Sequence, residues 1–165
     1  MHLRALRAPV AALSLLLGFG LAAPASSQNF EIAGGVAKKH EGETTEVFSA
    51  HWLPELRRFG NGTLRADVAV YRVQGRDVRD TAWRLSENVN VFGAGARWEH
   101  DRGLLLGFAV GVQDGYTDAL SGDPQFISQI GWRWNWLTLS VRHISNAGFE
   151  SPNQGESFVM LGARF

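Results

Sequence analysis

Hydrophobic and polar residues alternate with a period of two along most of this sequence. Such alternation sends successive side chains to opposite faces of a β-strand. Gly, β-branched and aromatic residues dominate these stretches, and helical periodicity is absent from them. Eight candidate strands follow: Phe30–Lys38, Thr45–Leu53, Thr63–Val73, Val89–Glu99, Leu104–Val112, Gln125–Trp134, Leu137–Ser145 and Ser157–Phe165. The pattern predicts an all-β fold.

The connections between these strands alternate in kind. One set consists of Pro54–Gly62, His100–Gly103 and Asn135–Trp136, of which the last two are tight. The other set is longer and polar, and consists of Val73–Val89, Gln113–Pro124 and Asn146–Glu156. Short turns at one end and longer loops at the other are typical of outer-membrane barrels, whose turns lie in the periplasm. We therefore expect an eight-stranded antiparallel transmembrane β-barrel with both termini in the periplasm.

The N-terminal segment has the pattern of a secretory signal peptide. Two arginines precede the apolar run Val10–Ala23, which ends in small residues. Cleavage after Ala25 and cleavage after Ser27 both fit, and an N-terminal membrane anchor is the alternative that the short apolar run disfavours. We expect residues 1–27 to be a cleaved signal peptide and residues 28–165 to form the outer-membrane barrel domain.

The composition argues against some classes of binding partner and excludes some kinds of catalytic chemistry. The chain has 16 basic and 16 acidic residues and no Cys. Balanced charge argues against a nucleic-acid partner, which would require a basic face. The absence of Cys excludes a disulfide framework and a cysteine nucleophile. After the signal segment, no apolar run reaches the roughly 18 residues of a transmembrane helix, whereas barrel strands need no such run.

Aromatic residues also favour a wall surrounded by lipid. Trp132, Trp134 and Trp136 surround the tight turn at Asn135, where a periplasmic aromatic girdle is expected. The last strand has an apolar face that resembles the C-terminal signature of bacterial outer-membrane proteins, formed by Val159, Leu161, Ala163 and the terminal Phe165. Taken singly, these features also fit a β-sandwich core or a soluble lipocalin-like barrel. Together with export they favour the membrane barrel.

A histidine and a serine near the C-terminus are candidates for nucleophilic chemistry. His143 and Ser145 are two residues apart on a predicted strand, so both side chains leave the same face. A serine beside a histidine base is the arrangement that nucleophilic catalysis requires. The pair shares its phase with Leu137, Leu139 and Val141, while Thr138, Ser140 and Arg142 occupy the other phase. Because the apolar phase of a barrel strand faces lipid, the pair is expected on the outer wall, with an outer-leaflet lipid as substrate.

The segment His143–Gly148, followed by Pro152-Asn153 and Gly155-Glu156, resembles the motif of the lipid A 3-O-deacylase (PagL) family. The similarity is closest over about the last 25 residues, and the eight strands, signal peptide and terminal Phe match the family's architecture. It implies an outer-membrane serine esterase that removes the acyl chain at the 3-position of lipid A, with its active site at the external leaflet. It implies lipopolysaccharide as substrate, outer-membrane lipids as surroundings and no cofactor or metal, and it leaves a homodimer open.

The resemblance also implies the roles of individual residues. Ser145 would be the nucleophile, His143 the base and Glu156 the acid. The backbone N–H groups of Asn146 and Gly148 would form the oxyanion hole. In one member of the family the carboxylate is one residue further from the serine than Glu156 is from Ser145. Alternation also places Glu156 on the interior phase, so a loop or bulge before Ser157 would be needed to re-aim it. Glu150 is the alternative acid.

The remaining histidines, a basic patch and two alternative functions also bear on the interpretation of the sequence. His40, His51 and His100 lack the spacing of zinc ligands. Lys38, Lys39 and His40 in the first external loop fit either a contact with lipid A phosphates or a solvated patch. Two functions compete with the esterase: a non-catalytic structural or adhesion barrel, and a soluble exported lipid-binding barrel in which the His-Ser pair lines an internal pocket.

Overall fold

The computed structural model describes residues 28–38, 44–77 and 82–165. The predicted signal peptide, and Lys39 and His40 of the first-loop patch, lie outside the described residues. Within the described part of the chain, no helix is long and apolar enough to cross a membrane.

The described residues form strands and connecting segments only. The strands are β1 (Phe30–Lys38), β2 (Thr44–Trp52), β3 (Glu55–Arg58), β4 (Gly62–Val73), β5 (Val89–His100), β6 (Leu104–Asp114), β7 (Gln125–Trp134), β8 (Leu137–Ser145) and β9 (Glu156–Arg164). Eight of them match the predicted strands to within two residues at either end. The predicted all-β fold is confirmed.

The strands close into an antiparallel barrel. Each strand from β4 to β8 pairs with the strand that follows it, and β1 pairs with both β9 and β2. A β2–β4 pairing completes the ring, so among the described residues eight strands form a closed wall with no unpaired long edge. The ninth strand, β3, lies within the predicted Pro54–Gly62 connection and pairs with the first part of β4. It continues the direction of β2 after a break at two residues, the buried Leu53 and Pro54. Pro54 has no backbone N–H to donate to a neighbouring strand.

The barrel wall is apolar outside and polar inside. On β8, Leu139 and Val141 are 43% and 48% exposed, whereas Arg142 is 1% exposed. Outward-facing Val, Leu, Ile and Phe side chains recur around the ring, and charged side chains fill the interior. This confirms the predicted phase of β8 and is the reverse of a soluble lipid-binding barrel.

A buried ionic network joins strands across the interior. The Glu31 carboxylate accepts hydrogen bonds from Arg97 Nη1 at 2.9 Å and from Arg142 Nη2 at 2.7 Å. Asp67 Oδ2 accepts from Arg97 Nη2 at 2.9 Å and from Gln129 Nε2 at 2.9 Å. These contacts link β1, β4, β5, β7 and β8. Buried charges are tolerated here because each is paired and hydrogen-bonded.

The two ends of the barrel differ as the sequence predicts. The turns after β5 and β7 are short, whereas the segments after β4, β6 and β8 are longer loops. Trp132 and Trp134 are exposed at the short-turn end. There the rings of Phe30 and Phe165 also stack, with centroids 6.4 Å apart. Towards the long-loop end the interior contains an apolar layer, formed by the fully buried Ile144, Phe158 and Met160 of the strands and Leu120 of the loop after β6.

We predict that Glu31→Gln lowers the free energy of unfolding by about 3–5 kcal/mol, because it leaves two buried guanidinium groups short of their shared carboxylate. Unfolding of the detergent-solubilised barrel in urea measures this loss. The control is Asp101→Asn, which breaks the exposed Arg58–Asp101 pair of 3.0 Å and should cost about 0–1 kcal/mol. Equal effects of the two substitutions would contradict the role of the interior network.

Candidate functional site

His143 and Ser145 lie on the outer wall at the end of β8 that leads into a long loop. Both side chains are half-buried. In the strand register, His143 faces Ser128 on β7 and Ser157 on β9, and Ser145 faces Phe126 on β7. Pairing with β7 and β9 fixes the backbone of His143, and pairing with β7 fixes that of Ser145. The placement follows the predicted alternation.

Ser157 contacts the imidazole directly. Its Oγ lies 2.9 Å from His143 Nδ1, a hydrogen-bond distance. Both residues belong to an antiparallel β8–β9 pairing, in which directly opposed side chains share one face. Sequence reasoning missed this residue because strand register is not visible in one sequence, although its outward phase on the last strand was available as a signal.

Gly155 brings the loop against both candidate residues. Its φ is +66°, and a Cβ atom at this position would lie 2.7 Å from His143 Cε1 and 2.7 Å from Ser145 Cβ. The two side chains therefore border a single point, and only glycine fits there without displacing them. The Gly155 N–H donates to Ala119 O and to Asn153 Oδ1, each at 3.0 Å, which holds this close approach.

The two predicted oxyanion donors lie in the loop that begins after Ser145. Asn146 is fully buried, and its Nδ2 donates to Ser121 O at 2.7 Å and to Glu150 O at 2.9 Å. The Gly148 N–H donates to Asn146 Oδ1 at 2.9 Å. The Asn146 N–H is directed at Asn153 Oδ1, at 3.5 Å. Side-chain oxygens thus occupy the direction in which each N–H would bind an oxyanion.

The structure does not bring Glu156 to His143. Strand β9 is regular from Glu156 onward, with Glu156 opposite Ile144 and Ser157 opposite His143. The Glu156 side chain is buried on the interior phase, and its Oε1 accepts a 2.6 Å hydrogen bond from Arg76 Nη2. No hydrogen-bond partner of Glu156 Oε2 is present among the described residues. The role of Glu156 as the acid stays a prediction.

Glu150, the alternative acid, lies in the loop after β8. It is exposed, and its carboxylate lies against Gly122 of the loop between β6 and β7. Its backbone carbonyl, rather than its side chain, supports the Asn146 amide. In this arrangement Glu150 contributes to joining two loops.

Aromatic rings cover the outer wall next to Ser145. The rings of Phe108 and Phe126 stack with centroids 6.2 Å apart, and those of Phe126 and Phe149 are 6.0 Å apart. Phe126 is the cross-strand neighbour of Ser145. The serine thus borders an apolar surface that suits a hydrocarbon chain.

A second Ser-His-acid arrangement lies inside the barrel. His51 Nδ1 is 2.7 Å from Asp67 Oδ1, and His51 Nε2 is 3.0 Å from Ser49 Oγ. All three residues are buried. The Arg142 guanidinium contacts both His51 Nε2 and Ser49 Oγ, so the nitrogen that would serve as base already has a cationic donor beside it. We assign these residues to the structural network.

The remaining histidine of the described strands has a local partner. His100 Nδ1 accepts a 2.9 Å hydrogen bond from the Arg102 N–H in the turn after β5. Across residues 28–38, 44–77 and 82–165, no group of three or more His, Asp or Glu is arranged as metal ligands.

Comparison with known proteins identifies the family to which this chain belongs. The family model of lipid A 3-O-deacylase (PagL) matches residues 77–165. The matched segment includes strands β5 to β9 and the loop after β8, and thus every candidate site residue. Comparisons with curated proteins and with solved structures gave no match. Since the family match covers more than half of the chain, this protein belongs to the lipid A 3-O-deacylase family.

Proposed function

We propose that this protein is an outer-membrane serine esterase that hydrolyses the 3-O-linked acyl chain of lipid A and releases a 3-hydroxy fatty acid. The observation that carries the proposal is the His143–Ser145 pair on an apolar outer wall, in a chain of this family. A polar pair in such a position is costly unless it has a function. A lipid of the surrounding leaflet reaches it laterally, without entering the barrel.

The proposed orientation follows from the two ends of the barrel. Short turns and exposed tryptophans at one end are typical of the periplasmic side of outer-membrane barrels. In the proposed orientation the opposite end, which carries Ser145 and the long loops, faces outward, and the proposed site lies in the external leaflet. Export requires that residues 1–27 act as a signal peptide, as their pattern indicates.

In the proposed mechanism, His143 activates Ser145. With the Nδ1–H donating to Ser157 Oγ, the tautomer presents Nε2 as the base. Nε2 takes the Ser145 hydroxyl proton while Oγ attacks the ester carbonyl carbon, so that one C–O bond forms and the carbonyl oxygen becomes an oxyanion.

The oxyanion then replaces the side-chain oxygens that the Asn146 and Gly148 N–H groups face in the described structure. Removing one such donor typically costs about 10²–10³ in turnover. Collapse of the intermediate breaks the bond to the sugar oxygen, which takes the proton from His143. Water, deprotonated by His143, next cleaves the acyl-Ser145 ester, which frees the fatty acid and restores the serine.

The aromatic surface beside Ser145 supports a lipid substrate. The rings of Phe126, Phe108 and Phe149 offer a contact for the acyl chain next to the nucleophile. Such a surface holds the chain by apolar contact and leaves the ester group at the edge where Ser145 lies.

We predict that Ser145→Ala and His143→Ala each abolish loss of the 3-linked acyl chain while the barrel still folds, because each removes a part of nucleophile activation. Mass spectrometry of lipid A from cells that produce each variant measures the product. The control is Ser86→Ala, which changes an exposed serine in the loop after β4 and should retain full activity. Normal deacylation by Ser145→Ala would refute the assignment. A wild-type protein without effect on lipid A would favour the non-catalytic barrel.

We predict that Glu156→Gln lowers barrel stability by about 3–5 kcal/mol, because it breaks the buried pair with Arg76. Turnover per folded molecule should stay within about threefold of wild type, because the Glu156 carboxylate binds Arg76 and Ser157 is the residue opposite His143; loss of a triad acid would instead cost about 10⁴. Urea unfolding and ester cleavage by the folded fraction separate the two effects. Glu150→Gln should change turnover little. A loss of several hundredfold or more in either variant would identify that residue as the acid.

A further inference from the structure

The imidazole of His143 has a serine on each side in the sheet. Ser128 faces it from β7 and Ser157 from β9, and all three side chains belong to the outward phase. The Ser157 hydroxyl lies 2.9 Å from Nδ1. The Nδ1 side is where a Ser-His-acid triad places its acid, which selects the tautomer and fixes the plane of the ring.

We propose that Ser157 is the positioning residue for His143, with a neutral hydroxyl in the role that a carboxylate has in a Ser-His-acid triad. The inference rests on the proposed esterase function and deepens it. The Ser157 Oγ accepts the Nδ1–H, and this tautomer leaves Nε2 as the basic nitrogen of the ring.

The carboxylates of the neighbourhood do not compete for this position. Glu156 precedes Ser157 on β9, but alternation turns it to the interior, where Arg76 binds it. The Glu150 carboxylate lies against Gly122 in the adjacent loop. Strand geometry thus gives the outward position beside His143 to residue 157.

A hydroxyl suits an outer wall better than a carboxylate does. Ser157 is exposed and shares its face with Val159, which is 54% exposed. An ionised carboxylate on a lipid-facing wall is costly, whereas a serine hydroxyl paired with a histidine carries no charge. The corresponding disadvantage is catalytic, because a neutral oxygen orients the imidazole but stabilises the imidazolium less than an anion does.

The test compares three substitutions of Ser157 with Ser128→Ala, the matched serine on the other side of His143. Each full-length barrel is purified, checked for folding by heat-modifiable gel mobility, and assayed for kcat, KM and pH profile on lipid A in detergent micelles. We expect Ser157→Ala to lower kcat about threefold to tenfold, the range for one neutral hydrogen bond, with KM unchanged. Ser157→Thr keeps the hydroxyl and should restore most of the rate, and Ser128→Ala should match wild type.

Ser157→Glu provides a readout that a structural role would not change. An anion beside His143 favours the protonated ring, so the neutral base should form, and kcat should rise, only at higher pH than in wild type. An unshifted pH profile in Ser157→Glu, or a kcat for Ser157→Ala equal to that of Ser128→Ala, would overturn the proposal.

A nitrogen NMR spectrum of the labelled imidazole separates this inference from the proposed function. The His143 signal, identified by its absence in His143→Ala, should show a proton on Nδ1 in wild type and a mixture of tautomers in Ser157→Ala. If wild type cleaves no ester but the tautomers differ in this way, the esterase proposal fails and the positioning contact stands. If wild type cleaves the ester but the tautomers do not differ, the positioning proposal fails alone.

Discussion

The paired charges inside the barrel are the interaction on which the rest of the structure depends. Glu31 on β1 binds Arg97 on β5 and Arg142 on β8, so strands from opposite parts of the ring meet at one carboxylate. These charges share the interior with a cluster of buried apolar side chains, and removing either sign of charge leaves the other uncompensated. On the strands that carry these charges, alternation sends the charged side chains inward and the side chains of the other, largely apolar phase outward.

The position of the candidate site follows from that division. Along β8, the side chains of Arg142 and Ile144 point inward. The residues that alternate with them, His143 and Ser145, have side chains that point outward. The inner neighbours are fully buried, Arg142 in the ionic network and Ile144 in the apolar layer below the loops. The candidate pair therefore lies on a strand whose inward side chains are held by separate contacts, which is the support that a preorganised site requires.

The alternation of side chains along a strand also separates two adjacent residues of β9. Glu156 and Ser157 differ by one position, and this difference sends one side chain to Arg76 inside the barrel and the other to His143 outside. In the described geometry the Glu156 carboxylate, although close to the pair in sequence, contacts Arg76 inside the barrel. Ser49, His51 and Asp67 are the opposite case. Their side chains are separated by the distances of a Ser-His-acid triad, but they are buried inside the barrel in contact with Arg97 and Arg142.

The sequence by itself determined the strands, their phase and the outward position of His143 and Ser145, because a period of two and the contrast between Leu139 and Arg142 are local properties of the chain. It also indicated that Glu156 belongs to the interior phase. It did not predict β3, which forms because the first part of β4 extends beyond its pairing with β2 and needs a partner. Only the tertiary structure decided that Ser157 faces His143 and that Gly155 closes on the pair. Register and loop approach join residues through space, and no local pattern encodes them.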